Sequence, residues 1–216
     1  MKTLIVSDVH LTRIFNKRKY AYLVRLFSSV DRIILNGDFW DGYRTTFDRF
    51  VKSKWSALFP LLKEKQTIYL YGNHDAKKFC DKRVALFSVT QGDSFLLHTE
   101  SDTLHVEHGH RVAPTFDMVI PIPYWIIVTI NFFSQVGEYL FTHLFNLHFL
   151  FLKRVNRKIK RKLEKQGHGY WYLCGHTHYA EIDKDHKFAN SGYIQYRRAS
   201  YLIADSAGLT LHKERY

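Results

Sequence analysis

The sequence predicts an α/β fold organised around a largely parallel β-sheet, on three observations. Short apolar runs at Leu4 to Val6, Arg32 to Asn36 and Thr67 to Tyr71 have the length and the β-branched content of buried strands. Helical patterns separate them: Lys17 to Ser29 puts Tyr22, Leu23, Leu26 and Phe27 on one face, and a second stretch covers about Phe47 to Lys63. Strand, helix, strand, helix, strand is the order of βαβ crossovers, which lay consecutive strands parallel in one sheet. The third observation is that each run stops at a polar motif: Asp8-Val9-His10, Gly37-Asp38-Phe39-Trp40-Asp41, and Gly72-Asn73-His74-Asp75.

The second half is organised differently. Ser94 to His98 and Leu104 to Glu107 read as paired strands, the latter ending at His108-Gly109-His110. A long apolar segment, about Thr115 to Leu152, leads into a basic run that ends at Lys165. The apolar run Tyr170 to Cys174 then reads as a strand that stops at Gly175-His176-Thr177-His178. Short strands are expected near Tyr179 to Asp183, Ala199 to Asp205 and Leu209 to His212, with Asp205-Ser206-Ala207-Gly208 as a hairpin turn between the last two. A chain of 216 residues buries one sizeable core, so residues 1–216 read as a single domain with an insertion at 115–165.

Composition narrows the function classes. With 46% hydrophobic residues, disorder is excluded. A formal net charge of +12 favours an anionic partner: nucleic acid, an acidic membrane surface or a phosphorylated small molecule. Cys80 and Cys174 are far apart and lack ligand spacing, which argues against a disulfide framework and suits a reducing compartment; Cys174 reads as a buried strand residue. The apolar run at the N-terminus reaches Asp8 too soon for a signal peptide, so the expected location is the cytoplasm.

In an α/β sheet the loops at the carboxyl ends of the strands converge on one edge, so residues scattered in sequence meet in space. Here those loops carry Asp8, His10, Asp38, Asn73, His108, His176 and His178. Carboxylate, amide and imidazole donors together suit divalent Mn²⁺, Zn²⁺ or Fe²⁺. In Asp8-Val9-His10 and His176-Thr177-His178 the polar residues sit two apart, so in an extended segment both would point the same way. Glycines before Asp38, Asn73 and His176 would allow tight turns and close approach of the backbone.

The order of these motifs resembles the calcineurin-like metallophosphoesterase superfamily from Asp8 to His178, and Ala189-Asn190-Ser191-Gly192 followed by a hairpin resembles that family's closing strands. The resemblance implies a four-layer sandwich, two facing mixed β-sheets flanked by helices. It also implies two divalent ions, Mn²⁺ in the first place with Fe²⁺ or Zn²⁺ as alternatives. One ion would take Asp8, His10, Asp38 and His178; the other would take Asp38, Asn73, His108 and His176, with Asp38 bridging. Such a pair activates a water for in-line attack on phosphorus and neutralises charge on the phosphoryl oxygens. The resemblance makes His74, backed by Asp75, a stabiliser of the leaving group or its general acid. Asp41 and His110 would stand behind the ligands and orient them.

Within the superfamily, the length, the Asp8-Val9-His10-Leu11 opening and the insertion before Gly175 look like UDP-2,3-diacylglucosamine pyrophosphohydrolases, whose insertion is a helical lid over acyl chains. Histidines at 74 and 110 differ from the arginine and aspartate of that family's best-known form, and His74 restores the general phosphodiesterase pattern. The insertion carries Trp125, Phe132, Phe133, Tyr139, Phe141 and Phe149 ahead of its basic run, so residues 124–165 read as a lid or a segment lying on an anionic membrane surface. Met118 to Gly137 is uncharged and long enough to span. One crossing would nonetheless separate His176 and His178 from the other ligands, and two would leave about 14 residues each, roughly 21 Å against a core of ~30 Å. The expected partner is a phosphorylated, acylated substrate at the inner face of the cell membrane. A nuclease or general phosphodiesterase is the alternative, although the basic residues flank an apolar segment instead of alternating with exposed aromatics. Nothing in the sequence specifies an oligomeric state.

Overall fold

The computed structural model describes residues 1–100, 102–114, 147–167 and 169–216, with Ile126, Thr129 and Gly137 between them; for 147–151 it describes the backbone. Strands β1 (Thr3–Val6), β2 (Arg32–Asn36) and β3 (Ile68–Leu70) lie side by side and parallel, with Thr3 opposite Arg32 and Ile34 opposite Ile68. β4 (Thr90–Gly92) extends the sheet beyond β3. On the other side of β1, β11 (Arg198–Asp205) runs antiparallel and carries β12 (Gly208–Arg215) on its outer edge. β10 (Ile194–Gln195) pairs with β11 beyond the end of β1 and completes a seven-stranded sheet. The second sheet has five strands in the order β5 (Ser94–His98), β6 (Thr103–Glu107), β7 (Trp171–Cys174), β9 (Phe188–Asn190) and β8 (Glu181–Asp183). Both sheets are mixed; in the second, β6, β7 and β9 are parallel and its edge strands β5 and β8 antiparallel.

The period of two along each strand sorts residues into layers. Ile5, Ile34, Ile68 and Leu70 pack with Val106, Leu173 and Ala189 between the sheets. Their neighbours Leu4, Val6, Ile33, Leu35 and Tyr69 face the other way, against helix α1 (Lys17–Ser28) and the helices that follow β2. On the far side Tyr172, Cys174 and Phe188 meet Ile159 and Leu163 of helix α4 (Leu147–Gln166). The result is the expected four-layer sandwich: helices, sheet, sheet, helix. Leu173 is fully buried at the centre of the inter-sheet core. Leu173→Ala is expected to cost about 2–5 kcal/mol, read as a lower urea midpoint at constant slope.

Two details depart from the sequence expectation. The stretch 47–63 is broken into α2 (Phe47–Val51), a 3-10 turn at Lys54–Leu58 and α3 (Phe59–Glu64). Ser53 starts a new segment by accepting from the Trp55 N–H, and Pro60 in the first turn of α3 has no N–H for a continuous ladder. Of the expected insertion, the part the structure describes is essentially α4; residues 115–146 of the apolar segment, and with them the stretch Met118 to Gly137, lie outside the described residues apart from Ile126, Thr129 and Gly137. Among the described residues no helix is long and apolar enough to cross a membrane.

Candidate metal centre

Because β1, β2 and β3 are parallel, Asp8, Asp38 and Asn73 all leave the sheet at the same edge. The loops are then stitched together: Asp8 N donates to the Gly37 carbonyl (3.1 Å), His10 N to Asp38 O (2.9 Å), and Gly175 N to His108 O (3.0 Å). The last bond joins the loops after β6 and β7 of the second sheet.

The pairs spaced two apart converge, but not by the extended geometry expected of them. Asp8, His10, Asp38, His176 and His178 all have left-handed backbone, with φ of 53°, 48°, 54°, 64° and 56°. Each such residue without glycine's freedom stores on the order of 1–3 kcal/mol of strain, and it persists only where the surroundings enforce it. Gly37 shows the close approach that the glycines permit: at φ 79° a Cβ there would sit 2.5 Å from the His108 ring. A Cβ on Gly175 would lie 2.1 Å from Ser7 Oγ and 2.5 Å from Asp8 Oδ2.

Asp38 lies at the centre of the cluster. Its Oδ2 is 3.3 Å from His108 Nε2, 3.7 Å from His10 Nε2 and 3.9 Å from His74 Nε2. Asp8 Oδ1 is 3.1 Å from His178 Nε2 and 3.7 Å from His10 Nε2. Asn73 Oδ1 is 3.2 Å from His108 Nε2. Donor atoms close enough to share an ion occur in three groups among the described residues: Asp8, His10 and His178; Asp8, Asp38 and His108; and His10, Asp41 and His74. His176 stands beside them, its ring 5.2 Å from that of His108.

Tautomers follow from the partners. His108 Nδ1 lies 2.8 Å from the Asn36 carbonyl, which can only accept, so Nδ1 carries the hydrogen and, in the neutral ring that would bind a cation, Nε2 turns its lone pair toward Asp38 and Asn73. His176 Nε2 likewise donates to Ala113 O (2.9 Å), which leaves Nδ1 as the available ligand atom. Lone pairs converging on lone pairs repel unless positive charge sits among them. Both buried ring nitrogens of His10 have no hydrogen-bond partner among the described residues. Burial by itself would keep His108 neutral, yet Asp38 and Asp8 push it up to about 10. Burial would raise the Asp38 carboxyl, but His108 and His74 hold it well below the usual range. The donor set therefore fits divalent cations.

His74 and its neighbours require one correction. Asp75 does not back the His74 ring. Its carboxylate accepts the backbone N–H groups of Gly72 (2.7 Å), Phe39 (2.8 Å) and Asp38 (2.9 Å), and so ties the loops after β2 and β3 together. Asp41 is the residue at His74, with Oδ1 3.1 Å from Nδ1, while its Oδ2 lies 3.9 Å from His10 Nδ1. Burial opposes a charge on His74, but Asp38 and Asp41 prevail and push it up to about 9. Tyr43 packs its ring 4.5 Å from that of His74. His110 lies 5.5 Å from the His108 ring, and burial together with His108 lowers it to about 4, which makes it neutral.

A family model described as calcineurin-like phosphoesterase matches residues 1–180, a span that holds all of these side chains. The chain belongs to the calcineurin-like phosphoesterase family. This phosphoesterase is thus a metal-dependent hydrolase. Its fold recurs in solved structures of low identity. The phosphoesterase Yfce from E. coli is 17% identical, with a TM-score of 0.52 over 97% of this chain and 91% of that one. An archaeal phosphodiesterase is 15% identical, with a TM-score of 0.50 over all of both chains. Vps29 from Entamoeba histolytica, in complex with Zn²⁺, is 13% identical, with a TM-score of 0.50 over 100% of this chain and 98% of that one. No curated protein matches the sequence.

Two residues that hold the phosphoesterase site were not anticipated from the sequence. Asn190 Nδ2 donates to Gly175 O (2.8 Å) and Thr177 Oγ1 (3.0 Å), and Asn156 of α4 accepts from Thr177 Oγ1 (2.6 Å). Together they set the loop that carries His176 and His178. The signal for Asn156 was present: it is an uncharged polar residue on the apolar stripe of Val155, Ile159 and Leu163.

Proposed function

We propose that this phosphoesterase hydrolyses a phosphodiester or pyrophosphate bond with two divalent ions, Mn²⁺ first among them. Asp8, His10, Asp38 and His178 would hold one and Asp38, Asn73, His108 and His176 the other. The observation that carries the reading is the position of Asp38 Oδ2, within 3.9 Å of three imidazole nitrogens. Bound there, the ions supply an activated water and neutralise charge on the phosphoryl oxygens. The chain's own contribution is His74: Asp41 orients its ring and, with Asp38, favours the cationic form, so it can donate a proton to the leaving oxygen.

The substrate in this proposal is a lipid-linked nucleotide such as UDP-2,3-diacylglucosamine, met at an anionic membrane surface. What supports it is the resemblance read from the sequence and the exposed face of α4. Lys153, Arg154, Arg157, Lys158, Arg161, Lys162 and Lys165 are exposed there. Lys160 is the exception, turned onto Glu181 (2.8 Å) and Asp183 (2.5 Å). Each exposed cation near an anionic surface contributes about 1 kcal/mol, in a salt-sensitive way.

Replacing residues 125–152 by a short polar linker tests the substrate. Hydrolysis of bis-p-nitrophenyl phosphate should persist, while turnover of an acylated nucleotide sugar and binding to anionic vesicles should collapse, since each buried CH₂ contributes about 0.8 kcal/mol. Loss of single-stranded DNA cleavage with acylated substrates spared would make the segment a nucleic-acid clamp instead.

A further inference from the structure

A cavity of about 360 Å³ lies beside the metal centre and is lined by His178, Tyr193, the cations Arg198, Lys213 and Arg215, and Glu214. That volume is within the range of small-ligand sites. His178 is also the residue whose Nε2 lies 3.1 Å from Asp8 Oδ1, so the cavity and the metal centre are continuous.

The cations in the cavity share one face because of strand register. Arg198 is opposite Arg215 and Ser200 opposite Lys213 across the antiparallel pair β11 and β12, so these side chains emerge on the same side of the sheet. Glu214 also lines the cavity, but it alternates with Lys213 and Arg215 along β12 and its carboxylate is taken up by neighbouring side chains. It accepts from the Tyr22 (2.8 Å) and Tyr201 (3.1 Å) hydroxyls and pairs with Arg25 at 3.6 Å. Among the described residues Arg198, Lys213 and Arg215 have no ion-pair partner, so their charge is left for something outside the chain. The turn before Arg198 is a second observation. Tyr196 and Arg197 form the two-residue loop between β10 and β11 with φ of 53° and 62°. Such loops ordinarily use asparagine or glycine there, and two large side chains held left-handed beside the cavity mark a strained segment next to a site.

Resting on the phosphoester-hydrolase reading, we propose that this cavity is a substrate subsite that takes a further phosphate group beyond the scissile one, bound by Arg198, Lys213 and Arg215. The enzyme thereby prefers substrates with a second phosphate, as in a nucleoside diphosphate ester, over simple diesters.

UMP and UDP, as competitors of bis-p-nitrophenyl phosphate hydrolysis in excess Mn²⁺ at low ionic strength, test this. UDP should inhibit wild-type protein about tenfold more tightly than UMP. In Arg198→Gln/Lys213→Gln the two constants should come within about twofold of each other, while Lys184→Gln, outside the cavity, keeps the wild-type ratio. Titration calorimetry of both nucleotides into metal-free protein should show the same preference and its loss. Equal inhibition in the wild type, or a ratio that survives the double substitution, overturns the proposal. If bis-p-nitrophenyl phosphate is not hydrolysed with any divalent ion, the hydrolase reading fails, and calorimetry still decides the subsite. Should the double variant unfold, the exposed Lys213→Gln alone is expected to reduce the ratio, and an unchanged ratio there overturns the proposal equally.

Discussion

Asp38→Ala is expected to lose bound metal and nearly all phosphodiesterase activity. Asp38 is the carboxylate that reaches both halves of the site: Oδ2 faces His108 and His10, and Oδ1 accepts the His74 backbone N–H at 2.9 Å. Removing it leaves His10, with no hydrogen bond at either ring nitrogen among the described residues, and His108 without the charge that draws cations between them. Metal analysis of the purified variant after incubation with Mn²⁺, alongside the rate on bis-p-nitrophenyl phosphate, checks this. In the loaded wild type two ions should lie roughly 3.5–4 Å apart with Asp38 between them. Full activity of the wild type in a metal-free preparation would remove the basis of the proposed centre.

His74→Ala separates the leaving-group role from metal binding. Its Nε2 stands 3.9 Å from Asp38 Oδ2, further than the His108 nitrogen, and its Nδ1 is occupied by Asp41 at 3.1 Å. The variant should keep its ions while kcat falls roughly 10²–10⁴-fold with a smaller change in KM. Loss of metal in step with the rate would make His74 a ligand, which its place with His10 and Asp41 among the close donor groups makes a meaningful alternative outcome.

Much of this was legible in the residues themselves. Period-two alternation in Leu4-Ile5-Val6, Ile33-Ile34-Leu35 and Tyr172-Leu173-Cys174 assigns each side chain to one of two buried faces, and a sheet buried on both faces requires a layer on each side. The site was legible because metal chemistry restricts residue type: histidine, aspartate and asparagine at strand ends have few other reasons to recur in that order. β4, β9 and β10 were harder to see, since Thr90-Gln91-Gly92 or Ile194-Gln195 becomes strand only because a neighbouring strand offers its hydrogen bonds.

What the sequence could not reveal is decided by partners distant along the chain. Adjacency suggested Asp75 as the support of His74, but the Asp75 carboxylate is taken up by three backbone N–H groups, and the loop after β2 brings Asp41 to the ring instead. Spacing by two suggested extended pairs, but the loops cross so closely at Gly37 and Gly175 that the ligand-bearing residues are forced left-handed. Lys160 reads as one more cation of a basic helix until β8 places Glu181 and Asp183 against it. Residue types and their local period thus determine the layers and the chemistry of the site. Which acid orients which histidine, and which cations remain free for a substrate or a surface, depends on contacts between residues far apart in the chain, such as Asp41 with His74 and Asp8 with His178, and only the packed sheets bring those together.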